Sequence, residues 1–220
     1  MKKPPRRTAE RILATALDLF NRYGEPNVAT TLIASDMGIS PGNLFYHFPA
    51  KELLVNALFD EYLHDMDQLL PAAADVQDME HAWFFMHSLF ELIWRHRFIY
   101  RDLNDLLSKN RHLEAQVKGV LHRKHQAFEV LLSGLQEQGL LSQNPFERHS
   151  CATHMVVLQT WWLSYEYVRN PRHAMEPESA GDALARGARH VLLLLAPYLE
   201  NPSERAHLMQ LTHAYASEVS

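Results

Sequence analysis

The residues with the most chemical promise fall within one stretch, Asp36 to Glu52, DMGISPGNLFYHFPAKE. Gly38, Ser40 and Gly42 stand at the spacing G-x-S-x-G of a nucleophile elbow, where a serine on a strained strand-to-helix turn exposes its hydroxyl for acyl transfer. The same residues fit the turn and second helix of a helix-turn-helix. In that reading a glycine ends one helix with positive φ, a serine caps the next, and a proline occupies its first position. A second set is the 14 histidines, of which His122 and His125 lie three apart on a predicted helix. No cysteine cluster and no H-E-x-x-H stretch accompanies them, so they are read as surface or packing residues. Neither a metal nor a cofactor is expected.

The elements around Ser40 separate the two chemistries. An elbow needs an alternating strand before the serine, and TTLIASDMG has helical period instead. No run of period two bounded by turn residues occurs anywhere in the chain, so the fold class is all-α. Ile12, Ala16, Phe20 and Tyr23 form one stripe of a first helix, which Thr8 caps and Gly24 stops. A short second helix turns Ile33, Ala34 and Met37 inward. The third begins at Ser40-Pro41, buries Leu44 and Phe48, and leaves Asn43, Phe45, Tyr46 and His47 outside. A fourth runs from about Lys51 to Leu70. PAAADVQD, at 71–78, reads as the domain seam. Longer apolar helices follow at about 79–98, 117–139, 150–168 and 184–199, with a further helix after Pro202. Serine hydrolysis through Ser40, and a helical adaptor whose outward aromatics pack on a neighbour, are the alternatives to groove reading.

Composition narrows the class. At 47% hydrophobic and 21% charged the chain is an ordinary globular protein, and its longest aliphatic block is too short to cross a bilayer. The single cysteine, Cys151, cannot form an intrachain disulfide, and the basic start lacks the apolar core of a signal peptide. A cytoplasmic location without a membrane partner is expected. The net charge is −5, yet residues 1–24 carry six basic side chains against two acidic ones. A basic end on an acidic body suits local attraction to phosphate.

TAERILATALDLFNRYG, followed by TTLIASDMGISPGNLFYHFPAKELLVNAL, resembles the DNA-binding domain of the TetR family of regulators over roughly residues 8–58. The resemblance implies a helix-turn-helix domain at 1–50 and a helical ligand-binding and dimerisation domain at 51–220, with 51–70 as connector. By position it implies contacts to a double-stranded DNA operator from Thr30, Thr31, Ser40, Pro41, Asn43, Phe45, Tyr46, His47 and Lys51. Asn43 is the candidate for direct base reading, since its amide both donates to and accepts from adenine. Lys2, Lys3, Arg6 and Arg7 are a candidate arm on the phosphates or in the minor groove, with a solvated tail as the alternative. Thr31 and Leu32 depart from the family, where Arg and a polar residue are frequent.

The second domain concentrates aromatics on more than one helix face. This points to an apolar cavity lined by Phe90, Trp94, Phe128, Trp162 and Tyr165, with Arg101 and Asn104 as polar contacts. Plain core packing is the alternative for each. NRYGEPNV, MGISPGNLFYHF and YRDLNDL resemble more narrowly the TetR-type regulators of medium-chain polyhydroxyalkanoate synthesis, which implies a fatty acyl effector such as a CoA thioester. A homodimer is expected through the last two long helices. There Gly181, Gly187 and Ala188 allow close approach, and Leu184, Val191 and Leu195 supply apolar area.

Overall fold

The computed structural model describes residues 5–174 and 176–217. Its elements are α-helices: α1 (Pro5–Tyr23), α2 (Thr30–Asp36), α3 (Pro41–His47), α4 (Lys51–Leu69), α5 (Met79–Arg95), α6 (Arg97–Arg101), α7 (Leu103–Lys109), α8 (Arg111–Glu137), α9 (Pro145–Arg169), α10 (Ala180–Leu193) and α11 (Pro202–Ser217). Among the described residues the extended pairing is a single bridge, Leu141 with Leu199. None of these helices is long and apolar enough to cross a membrane.

Local chemistry sets most boundaries. Gly24 and Gly139 end their helices with φ of 83° and 73°, conformations open to glycine without a steric cost. Asn144 starts α9 through a complete capping box: its side chain accepts from the Phe146 and Glu147 backbones, and the Glu147 carboxylate accepts from the Asn144 N–H at 2.8 Å. Three expectations are corrected. Thr8 lies inside α1, which is already helical at Pro5. The helix expected at 79–98 breaks at His96, whose φ of −112° and ψ of 35° redirect the chain into α6. The stretch expected to be a seam holds a 3-10 helix, Leu70–Asp75, with Leu70 and Ala73 buried.

Packing groups the chain into two compact units. The first runs to His64 and takes in His96–Gln116; the second comprises Asp65–Arg95 and Val117 onward. In the first, Ile12, Ala16 and Phe20 of α1 are buried with Ile33, Ala34, Leu44, Leu54 and Leu58. Phe20 and Phe98 rings lie 5.4 Å apart, and the Asn21 side-chain oxygen accepts the Phe98 N–H at 3.0 Å. Thus α6, absent from the sequence reading, packs on α1. The hydroxyls of Tyr62 and Tyr100 hydrogen-bond to each other in the same core.

The second unit is built around α10. A Cβ on Gly187 would stand 2.7 Å from the Phe90 ring and 2.8 Å from Trp162, so only glycine admits this contact of α10 with α5 and α9. Leu184, Ala188, Val191 and Leu195 are also buried within the unit. Their expected role as an interface between copies is therefore corrected: Gly187 and Ala188 let α10 sink into its own chain, while Gly181 is exposed with open space around it. Glu166, buried on α9, accepts from Arg186 on α10 at 2.8 and 3.2 Å and from Arg169 at 2.9 Å. This compensates a buried carboxylate.

Lys124 on α8 is fully buried. Burial pulls its ammonium from 10.5 down to about 7. Between those values the unfolded chain binds a proton that the folded chain does not, so stability rises with pH from about 7 towards 10.5. The slope from this group is at most about 1.4 kcal/mol per pH unit. Lys124→Met is expected to flatten that rise and to raise the melting temperature at pH 7; an unchanged slope in urea titrations across the window would contradict the assignment.

Candidate nucleic-acid interface

Ser40 answers the question posed by its motif. Its φ and ψ, −70° and 147°, are those of an N-cap, and its hydroxyl accepts the Asn43 N–H at 3.2 Å. The chain enters it from α2 through Met37 and Gly38 (φ 64°), with the Ile39 N–H bonded to Ala34 at 3.0 Å. The turn is helix to helix, so Ser40 does not sit on the strand-to-helix elbow of a hydrolase, and its hydroxyl accepts a backbone N–H as a helix cap. Pro41 fixes the first turn.

This turn decides what α3 shows to solvent. Leu44 is fully buried, while Phe45 is 45% and Tyr46 80% exposed. Pro41, Gly42 and Asn43 are exposed as well, and the Tyr46 and His47 rings meet edge to face at 5.2 Å. Thr31 is exposed and Thr30 half-buried. Leaving an aromatic ring such as Tyr46 in water forgoes its burial, so its position is informative. Gly42 is equally telling: a Cβ there would meet nothing nearer than the Ser40 Oγ at 4.0 Å. Among the described residues nothing demands glycine at that position.

Lys51 is more occupied than its sequence position suggests. Its ammonium donates to the carbonyls of Glu25 at 2.9 Å and Val28 at 3.2 Å, and pairs with the Glu25 carboxylate at 2.8 Å. These three acceptors match its three N–H groups. It clamps the 25–28 turn that delivers the chain to α2. With Thr30 and Phe45 it lines a hollow of about 400 Å³. Of the candidate arm, Lys2 and Lys3 lie outside the described residues, as does the side chain of Arg6. Arg7 is an exposed residue of α1 rather than of a free arm.

The candidate effector residues divide. Arg101 and Asn104 belong to the first unit, the five aromatics to the second. Arg101 pairs with Asp102 at 3.8 Å beside Gly24, and Asn104 is exposed. Burial raises the Asp102 carboxyl above its ordinary range, against the opposing pull of Arg101. Phe90 and Phe128 are fully buried, and Trp94 is half-buried. Trp162 donates its indole N–H to the Ala183 carbonyl at 2.7 Å and stacks near Tyr165 and His190. Trp162 and Tyr165 line a hollow of about 570 Å³ with Val157, Trp161 and Leu194. Sequence reasoning missed Gln159 and Thr160, whose buried side-chain polar atoms have no hydrogen-bond partner among the described residues. It also missed a cluster of His125, Glu129 and His149 on α8 and α9.

A model of bacterial transcriptional repressors of the TetR type matches residues 61–208, and one of the DNA-binding part of bacterial regulatory proteins of the tetR family matches residues 12–58. Among solved structures, a TetR-family transcriptional regulator from Marinobacter aquaeolei VT8 is 28% identical over 94% of this chain and 98% of its own, with a TM-score of 0.80. A γ-butyrolactone receptor (ArpA-like protein) is 18% identical over 97% and 98%, TM-score 0.68. A transcriptional regulator from Saccharomonospora viridis in complex with choline is 19% identical over 89% and 99%, also 0.68. The last two share the fold.

Removing the clamp has an expected cost. Lys51→Met leaves two carbonyls and the Glu25 carboxylate, whose side chain is 12% exposed, without their cation. A loss of about 1–3 kcal/mol in urea unfolding is expected; a change below about 0.5 kcal/mol, the scale of ordinary surface substitutions, would show that the turn holds itself.

Proposed function

The chain belongs to the TetR family of bacterial regulatory proteins, and from that premise we propose a ligand-responsive repressor that leaves a palindromic operator when a small apolar or acyl-type effector binds. The observation that carries the reading is the outer edge of α3. Asn43, Phe45 and Tyr46 are held in water by a helix whose inner residue, Leu44, is fully buried. A helix this narrow enters the major groove edge first. Asn43 then reads a base, Tyr46 and His47 lie along the sugar–phosphate backbone, and Thr30, Thr31, Ser40, Pro41 and Phe45 complete the contact. Gly42 lets the α3 backbone approach a phosphate. Lys51 shapes this surface through the 25–28 turn, and it reaches a phosphate only by releasing one of its present acceptors. The working division is 1–50 for reading DNA and 51–220 for sensing and pairing.

The sensing half supports an apolar effector. Phe90, Phe128 and Trp162 make its interior aromatic, and the Gln159 amide on α9 is fully buried with both polar atoms lacking a hydrogen-bond partner among the described residues. An unsatisfied buried amide costs about 1–3 kcal/mol, which a ligand's polar group would offset. Gln159 and Thr160 thereby replace Arg101 and Asn104 as the polar contacts. The similar proteins include a γ-butyrolactone receptor, which shares this fold. The fatty acyl-CoA class follows from the narrower resemblance in the sequence.

The pairing face is the exposed stripe of α9. Val157, Trp161, Tyr165 and Val168 are 50%, 41%, 57% and 80% exposed at helical spacing. Burying such a stripe against a second copy gives a symmetric contact and sets two α3 helices about one DNA turn apart or somewhat more. The effector's preference for one spacing over the other supplies the coupling, typically about 1–3 kcal/mol.

Titration onto DNA from upstream of the protein's own gene tests the reading. Binding should be saturable, should weaken steeply with salt, and should weaken again with a medium-chain acyl-CoA. Tyr46→Ala should reduce it at least tenfold. Gly42→Ala should stabilise the fold by up to about 1 kcal/mol while weakening DNA binding. Unchanged binding in both variants would refute the assigned edge.

A further inference from the structure

We propose that His125, Glu129 and His149 form a binding site for one divalent transition-metal ion, zinc foremost, that ties α8 to α9. The three side chains offer ligand atoms that all lie within 4.8 Å of one another. Nδ1 of His149 stands 3.0 Å from one Glu129 oxygen, and Nδ1 of His125 stands 3.9 Å from the other. Ligands of a tetrahedral ion with bonds near 2.0–2.1 Å are about 3.3 Å apart, so shifts on the order of 1 Å complete the set. Glu129 follows His125 by four residues on α8, on one helix face. His149 comes from the first turns of α9, where the Asn144 capping box fixes the backbone.

The surrounding hydrogen bonds choose the ligating nitrogens. Nε2 of His125 lies 3.2 Å from the His149 carbonyl and 3.2 Å from the Thr153 hydroxyl, which itself donates to that carbonyl at 3.0 Å. A carbonyl only accepts, so Nε2 is the nitrogen that donates there, and Nδ1 is the nitrogen that faces Glu129. An imidazole whose far N–H is held by a backbone carbonyl is the usual arrangement of a metal-bound histidine. Two imidazoles and one carboxylate favour zinc and its neighbours over magnesium or calcium, which take oxygen ligands. The side chain of His125 is 17% exposed and that of His149 65%, so the ion enters from water and keeps a water in its fourth position. His122, paired with His125 by sequence spacing alone, is exposed and outside the cluster.

The test uses the tag-free full chain, stripped with a chelator, and titrates zinc by calorimetry and cobalt by its visible absorption. One ion per chain is expected, with a raised melting temperature in zinc and none of this with magnesium. His149→Ala and Glu129→Gln should each weaken zinc at least tenfold, while His122→Ala should not. Metal-free melting compared across the variants checks that each is folded; His149, the most exposed ligand, disturbs packing least. No saturable binding by the parent protein, or equal affinity in all four proteins, would overturn the site.

Discussion

The Ser40 hydroxyl accepts the Asn43 N–H, and Gly38 two residues earlier takes the left-handed conformation that points the chain into that cap. Seven residues of helix do not persist in water by themselves, because nucleation costs more than so few hydrogen bonds return. α3 persists because its start is capped by Ser40, its end closes with the Phe48 N–H on Leu44 at 2.8 Å, and Leu44 is fully buried beneath it. All three devices act on the inner side or the ends. The outer edge is left free of structural duty, and that freedom lets Asn43, Phe45 and Tyr46 face a partner.

The same logic explains Lys51. A lysine at the start of α4 looks like a phosphate ligand, yet its ammonium holds the turn that positions α2 against α3. Structure and recognition are coupled there: the residue shapes the surface it borders. In the sensing half, Gly187 plays the comparable part. By admitting the Phe90 ring and Trp162, it draws α5, α9 and α10 into one core and leaves the α9 stripe from Val157 to Val168 facing outward.

What was legible in the sequence was local. Gly24, Gly38, Ser40-Pro41 and Gly139 each impose backbone geometry on their immediate neighbours, so the turns they make could be read without knowing the fold. What was not legible depended on partners distant in sequence. The break at His96 and the short helices α6 and α7 have too few residues to show a period, and α6 is held by Phe20 and Asn21, 77 residues away for the latter bond. The small residues of α10 looked like a seam between copies because composition does not say which helix they face. Asn144-Pro145-Phe146-Glu147 is a readable capping signal, because it too acts on its immediate neighbours. The His125 cluster is legible only in part, as a histidine and a glutamate four apart, since its third member comes from the next helix. On α3 the spacing places Leu44 inward and Asn43, Phe45 and Tyr46 outward, as found, whereas Phe48 ends the helix as its half-buried C-cap and His47 is half-buried too.

The most direct measurement places p-benzoylphenylalanine, a photo-crosslinker close to Phe in shape, at position 45 on α3 and, separately, at the more exposed position 84 on α5. Irradiation with DNA from upstream of the gene should give a covalent protein–DNA product from position 45 and none from position 84, and unlabelled DNA of the same sequence should compete it away. A product from position 84 alone, or from neither position while the protein still retards the DNA, would contradict the account, because the duplex would then meet some surface other than the outer edge of α3.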